Sequence, residues 1–171
     1  MKLKSEGRLA KIASRVAFGA SVLDVGCDHG YIPLYLAENG IAARIFASDV
    51  NVGPLESAKR NAETRGLCEK ISFCLADGIP GDVAPLVDTV IIAGMGGETI
   101  VGILERAPKT LNDGVFFILQ PQTKFDILLT HLRDNGFRDI KLSEVLEGRR
   151  KYTIITTRLF SEKEDVVDVH G

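Results

Sequence analysis

Short apolar runs recur along the chain, each closed by glycine or polar residues and most followed by a segment of helical period. Val22–Val25, Ala42–Ser48, Ile71–Leu75, Thr89–Ala93 and Val115–Leu119 have the length and β-branched content of buried strands. Between them, Ile32–Asn39, Pro54–Arg65 and Glu98–Glu105 predict helices. Pro33 is tolerated in a first helical turn, and Gly66 stands where a C-terminal stop is expected. Leu3, Leu9, Ile12, Ala13 and Val16 predict an N-terminal amphipathic helix over residues 3–17. Thr123 and Asp126 resemble a capping box for a helix reaching Asp134, with Gly136 as its stop.

Beyond Gly136 the rhythm changes. Asp139–Leu146 and Tyr152–Leu159 read as two strands linked by Glu147-Gly148-Arg149-Arg150, short enough to require an antiparallel pair. The expected fold is α/β: a doubly wound, mainly parallel seven-stranded sheet with a C-terminal antiparallel hairpin. One domain over residues 1–160 is expected, with residues 161–171 as a flexible acidic tail.

Composition narrows the class. Hydrophobic residues make up 45% of the 171, enough for a sizeable core. The formal charge of −2 gives no overall basic field, yet Lys2, Lys4, Arg8, Lys11 and Arg15 crowd the start and Arg149-Arg150-Lys151 form a second basic run. Cys27, Cys68 and Cys74 are odd in number and lack metal or redox spacing, which favours a reducing compartment and no metal site. No apolar run spans a membrane, and no apolar core follows the basic start. A cytoplasmic protein is expected, as a monomer or weak dimer.

Ligands of such sheets sit beyond the carboxyl ends of the strands. Those ends read Asp24-Val25-Gly26-Cys27-Asp28-His29-Gly30, Ser48-Asp49, Asp77-Gly78, Gly94-Met95-Gly96-Gly97 and Gln120-Pro121-Gln122. Gly26 permits close backbone approach. Asp49 offers two acceptor oxygens to a ribose diol. Asp77 can accept from an adenine amine, with Ile79 packing on the ring. Asp28 occupies the second glycine position of G-x-G-x-x-G, which weakens a dinucleotide reading, and no P-loop motif is present. Acidic groups at the turn disfavour a diphosphate and suit a ligand with cationic groups, such as S-adenosylmethionine. Each residue also has a plainer role: Gly26 and Gly30 as turn glycines, His29 as a satisfied turn residue, Met95 as packing.

Leu23-Asp-Val-Gly-Cys-Asp-His-Gly-Tyr-Ile-Pro33 resembles the first motif of the bacterial tRNA (adenine-22-N1)-methyltransferases. Gly53-Pro-Leu-Glu-Ser-Ala-Lys59, Ile92-Ala-Gly-Met-Gly-Gly97 and Leu119-Gln-Pro-Gln122 resemble its later signatures. The resemblance runs over residues 5–159. It implies a Rossmann-like methyltransferase using S-adenosyl-L-methionine on N1 of an adenine in tRNA. Cofactor contacts then carry over to Gly26, Asp28, His29, Asp49, Asp77 and Gly78. The resemblance also implies that the Gly94–Gly97 segment lies beside the methyl donor and the target base. Members of the family continue into a helical C-terminal extension, whereas this chain ends at Gly171 with an acidic stretch.

For catalysis, Asp28 and the backbone of Ala93, Gly94 and Met95 are the candidates to accept a hydrogen bond from the adenine N6 amine. Lys11, Arg15, Arg149 and Arg150 are candidates for RNA phosphates. Competing readings are a methyltransferase for another RNA, a protein or a small molecule, a cofactor-binding protein without turnover, and an NAD-dependent enzyme.

Overall fold

A computed structural model describes residues 7–161. Seven strands form one sheet in the order β3-β2-β1-β4-β5-β7-β6. Strand β1 is Ser21–Val25, β2 Arg44–Asp49, β3 Ser72–Leu75, β4 Thr89–Gly96 and β5 Phe116–Thr123; neighbours among these five pair in parallel. Strands β6, Phe137–Glu147, and β7, Arg150–Leu159, form the antiparallel hairpin, and β7 docks antiparallel on β5. Helices α1 (Arg8–Ala13), α2 (Tyr31–Glu38), α3 (Val52–Thr64), α4 (Gly97–Glu105) and α5 (Phe125–Asp134) connect and flank them.

Both sheet faces are buried, which is why the central strands read as continuous apolar runs. Successive residues serve opposite layers. Val22, Ile91, Ile118 and Ile154 pack with Ile12, Leu34, Leu55 and Ala58 of α1 to α3. Leu23, Ile92, Leu119 and Ile155 pack with Ile100, Ile103, Leu128 and Leu132 of α4 and α5. The period-2 alternation of a strand thus feeds two cores, and the parallel pairing of β1 to β5 puts their carboxyl ends at one rim of the sheet.

The expected doubly wound sheet and C-terminal hairpin are present, with three local differences. The described part of the N-terminal helix is only six residues, because the chain turns after Ala13 towards Phe18, which is fully exposed at 88%. The expected Thr123–Asp126 capping box is absent. Thr123 is instead a β5 residue paired with Gly96, and Lys124 occupies the N-cap position in the left-handed region at φ 54° with no side-chain cap. Cross-strand pairing has overridden the local capping signal. Strands β4 and β5 also continue past their predicted ends, through register shifts at Ala93/Met95 and Met95/Gly96 that accommodate Gly94. The acidic stretch after Ser161, and Lys2 and Lys4, lie outside the described residues.

Candidate active site

A cleft of about 510 Å³ opens at the carboxyl ends of β1, β2 and β4. Its floor is the turn after β1. The amides of Gly26 and Cys27 both donate to the Ser48 carbonyl, at 2.8 and 2.9 Å, so the turn is tied to the end of β2. Gly26 and Gly30 have φ of 71° and 75°, and Asp28 between them has φ 51°. Only glycine takes such angles freely, so a side chain at 28 in this region is a strained choice that sets its carboxylate at the cleft.

Asp49 organises two loops at once. One carboxylate oxygen accepts from the Asp28 amide at 3.1 Å and the other from the Asn51 amide at 2.9 Å. The side chain is buried, and each oxygen keeps a second lone pair for a ligand hydroxyl. Asn51 occupies the N-cap position of α3, and its side chain makes no capping bond.

Opposite the turn stands the bulged end of β4. A Cβ on Gly26 would come within 2.2 Å of Met95 Cε, so the glycine accommodates the methionine that walls the cleft. Gly94 has φ 78° and is exposed in the cleft wall.

Two wall residues escaped the sequence reading of the site. Asp24 interrupts the apolar run of β1, is 4% exposed and lines the cleft, with no hydrogen bond among the described residues. Burial pushes its carboxyl from the ordinary 3.8 up to about 8, and the neighbouring Asp49 charge adds to the rise. A charged residue inside a buried strand is a signal in the sequence itself. Arg8 left no such signal. Its guanidinium donates to the buried Gln120 Oε1 at 2.9 Å and lies 5.6 Å from the Tyr152 ring centroid, while its amide donates to Glu147 at 3.1 Å. Gln120 also donates to the Pro121 carbonyl at 2.8 Å, so this glutamine of the Leu-Gln-Pro-Gln segment holds the N-terminal arginine at the cleft.

Other expected residues fall elsewhere. His29 lies outside the cleft wall, its Nδ1 bonded to Ser57 Oγ at 2.9 Å and its carbonyl accepting from Asn61. Asp77 forms an exposed ion pair with Arg106 at 2.6 Å. Gly78 is buried beside Ile103 and Arg106, and Ile79 belongs to the α4–α5 core. The Cys27 thiol is held protonated by burial and by the nearby Asp24 and Asp49 charges, so it is a packing group and not a nucleophile. Among the described residues, no cluster of three His, Cys, Asp or Glu could hold a metal ion. No described helix is long and apolar enough to cross a membrane.

The donor set therefore comprises three carboxylates (Asp24, Asp28 and Asp49) and one arginine around a glycine turn. It fits a ligand with a vicinal diol and cationic groups, and it repels a diphosphate.

The family model described as "Methyltransferase domain" matches residues 5–155. The chain belongs to that methyltransferase family. Among relatives of this chain, a tRNA (adenine(22)-N(1))-methyltransferase of Bacillus subtilis is 37% identical over 133 residues, covering 78% of this chain and 54% of its own. The chain thus spans about half the length of that curated relative. The solved structure of the tRNA methyltransferase TrmK from Bacillus subtilis is 32% identical. It aligns over 92% of this chain and 68% of its own with a TM-score of 0.84. A Streptococcus pneumoniae protein solved in complex with S-adenosyl-L-methionine is 38% identical, over 93% and 75% of the two chains, with a TM-score of 0.81.

Proposed function

We propose that this methyltransferase transfers a methyl group from S-adenosyl-L-methionine to N1 of adenine 22 in tRNA. The observation that carries the reading is the cleft in which Asp24, Asp28 and Asp49 surround the Gly26 turn. It stands in a chain similar to tRNA (adenine-22-N1)-methyltransferases over most of its length. The bound cofactor supplies an electrophilic methyl group on a cationic sulfur. Asp49 offers its remaining lone pairs to the ribose hydroxyls, and its two backbone bonds hold it ready for them. Gly26 lets the backbone come close without a side chain in the way. Asp24, buried and without a partner, gains a counter-charge from the cationic groups. The contact set in this reading is Gly26, Asp28 and Asp49 with Asp24. His29 supports the turn from outside, and Asp77 and Gly78 stand apart from the cleft wall.

Adenine N1 carries an in-plane lone pair that is unprotonated at neutral pH, so no strong base is required. The protein has to align acceptor and donor and offset the positive charge that grows on the ring. Asp28 and the carbonyls of Ala93, Gly94 and Met95 are the acceptors available for the N6 amine at that wall. The target base has to leave its stack to reach them.

The test is incubation with labelled S-adenosyl-L-methionine and unmodified tRNA, with the modified nucleoside identified. Label at adenine N1 is expected. No label on tRNA, with cofactor binding confirmed by calorimetry, rejects the substrate. Asp28 is exposed, so Asp28→Asn should lower turnover by about 10- to 100-fold with little change in Tm. Unchanged turnover removes Asp28 from the catalytic set.

A further inference from the structure

A second groove, of about 430 Å³, lies beside the cleft at the ends of β5 and β7, and the two share Gln122 in their walls. The compartments have opposite character. The cleft has three carboxylates against Arg8, whereas the groove is lined by Lys124, Arg150 and Lys151 and by no carboxylate. Lys151 is paired with Glu144 at 2.7 Å, but among the described residues neither Lys124 nor Arg150 forms an ion pair. Tyr152 and Phe125 complete the wall, and Tyr152 carries the Arg8 guanidinium on its ring, so an arginine–tyrosine pair stands between the two compartments.

Lys124 is not a casual surface lysine. It is held in the left-handed region, which costs a side-chain-bearing residue about 1 kcal/mol or more. Its backbone is also packed against the start of α4. A Cβ on Gly97 would stand 2.3 Å from the Lys124 carbonyl oxygen, so the Lys124 bend and Gly97 are fixed against each other. The lysine is thus anchored two residues beyond Met95 of the cleft wall.

We propose that this groove seats the RNA backbone next to the target adenine, with Lys124 and Arg150 neutralising its phosphates and Tyr152 and Phe125 facing a neighbouring sugar or base. The inference rests on the tRNA substrate proposed above. The chemistry follows from the division of charge: the cationic ligand takes the acidic compartment, the polyanion the basic one. Gln122 lines both, so a nucleotide in the cleft and the backbone beside it in the groove are neighbours. Unpaired cations release condensed counterions when they meet phosphates, which is where the affinity arises. The aromatic pair adds sequence-tolerant stacking.

The test is direct binding of unmodified tRNA transcript, by fluorescence anisotropy, over a range of salt concentrations, with the S-adenosyl-L-methionine Kd measured separately. Asparagine tolerates the left-handed region, so Lys124→Asn removes the charge and keeps the bend. The Lys124→Asn, Arg150→Gln double variant should raise the tRNA Kd about 5- to 20-fold and reduce the salt slope by about 1.4, since each phosphate contact contributes about 0.7 on a single strand. Its cofactor Kd and Tm should match the parent's. Lys124→Arg should retain tRNA affinity. Parental affinity and salt slope in the double variant overturn the groove even while the parent methylates tRNA. Failure of the parent to methylate, with tRNA affinity still falling in the variant, overturns the proposed reaction and leaves the groove standing. A parent that binds no tRNA overturns the groove.

Discussion

Asp24 makes the cleft unstable as long as it is empty, and this can be measured. The carboxyl moves from an ordinary 3.8 to about 8 in the folded chain, chiefly through burial. An acid whose folded value is raised keeps its proton in the native state after the unfolded chain has lost it. Its contribution to stability is therefore fully present below about pH 4 and is lost as the pH rises through about 8. Each pH unit across that window removes about 1.4 kcal/mol, which reaches about 4 kcal/mol at pH 7. Asp24→Asn keeps the shape and removes the charge, so it should escape this loss. For a chain of this length 1 kcal/mol moves Tm by about 2–4 °C, and the variant should melt about 10 °C above the parent at neutral pH. The gap should widen steadily from pH 5 to 8 and flatten beyond. Thermal unfolding across pH, without cofactor, reads this directly. The same variant should bind S-adenosyl-L-methionine about 10- to 100-fold more weakly, because an ionised partner of a cation is gone. Calorimetry of the parent near pH 7 in buffers of different ionisation enthalpy should show about one proton released on binding. A pH-independent Tm gap, or a variant less stable than the parent at pH 8, refutes the reasoning.

Two further perturbations probe the scaffold of the site. Gly26→Ala drives a methyl to within 2.2 Å of Met95 Cε and holds alanine at φ 71°. A loss of about 1–3 kcal/mol in urea unfolding is expected; combining it with Met95→Ala should recover the steric part only, and full recovery would show that the backbone angle costs nothing. Gln120→Leu leaves the Arg8 guanidinium and the Gln122 amide without their acceptor. About 1–3 kcal/mol should be lost, together with cofactor affinity; a stable variant with parental affinity would show that Arg8 needs no anchor.

The fold was legible because each buried strand alternates between two cores, leaving long apolar runs that local chemistry brackets with glycine. Asp28 and Asp49 were legible for the same reason: once the strand ends are known, the cleft is known. Asp77 lies outside the cleft lining, its carboxylate paired with Arg106 just past the end of α4. Asp24 is visible in the sequence as a charge at the end of a buried strand, but its burial and its place in the cleft wall come from the fold. Arg8 could not be read at all. Its place depends on Gln120, 112 residues away, and on the side chains of a hairpin whose register no local signal sets. The mistaken capping box shows the same limit, since a cross-strand partner at Gly96 outweighed a plausible helix start.

The contact between Arg8 and Glu147 spans 139 residues, so the rim of the site is finished only when the last hairpin pairs, although Ile12 of the first helix packs on the central strands and α2. During synthesis the five parallel strands emerge first, with the β7 edge of β5 uncovered and with Gln120 in place for Arg8 but Glu147 and Tyr152 still to come. A nascent chain that stops before β7 has the glycine turn and the carboxylates but not the Tyr152 ring against which Arg8 lies. The rim at Arg8 is therefore completed by residues from both ends of the described chain, 139 positions apart.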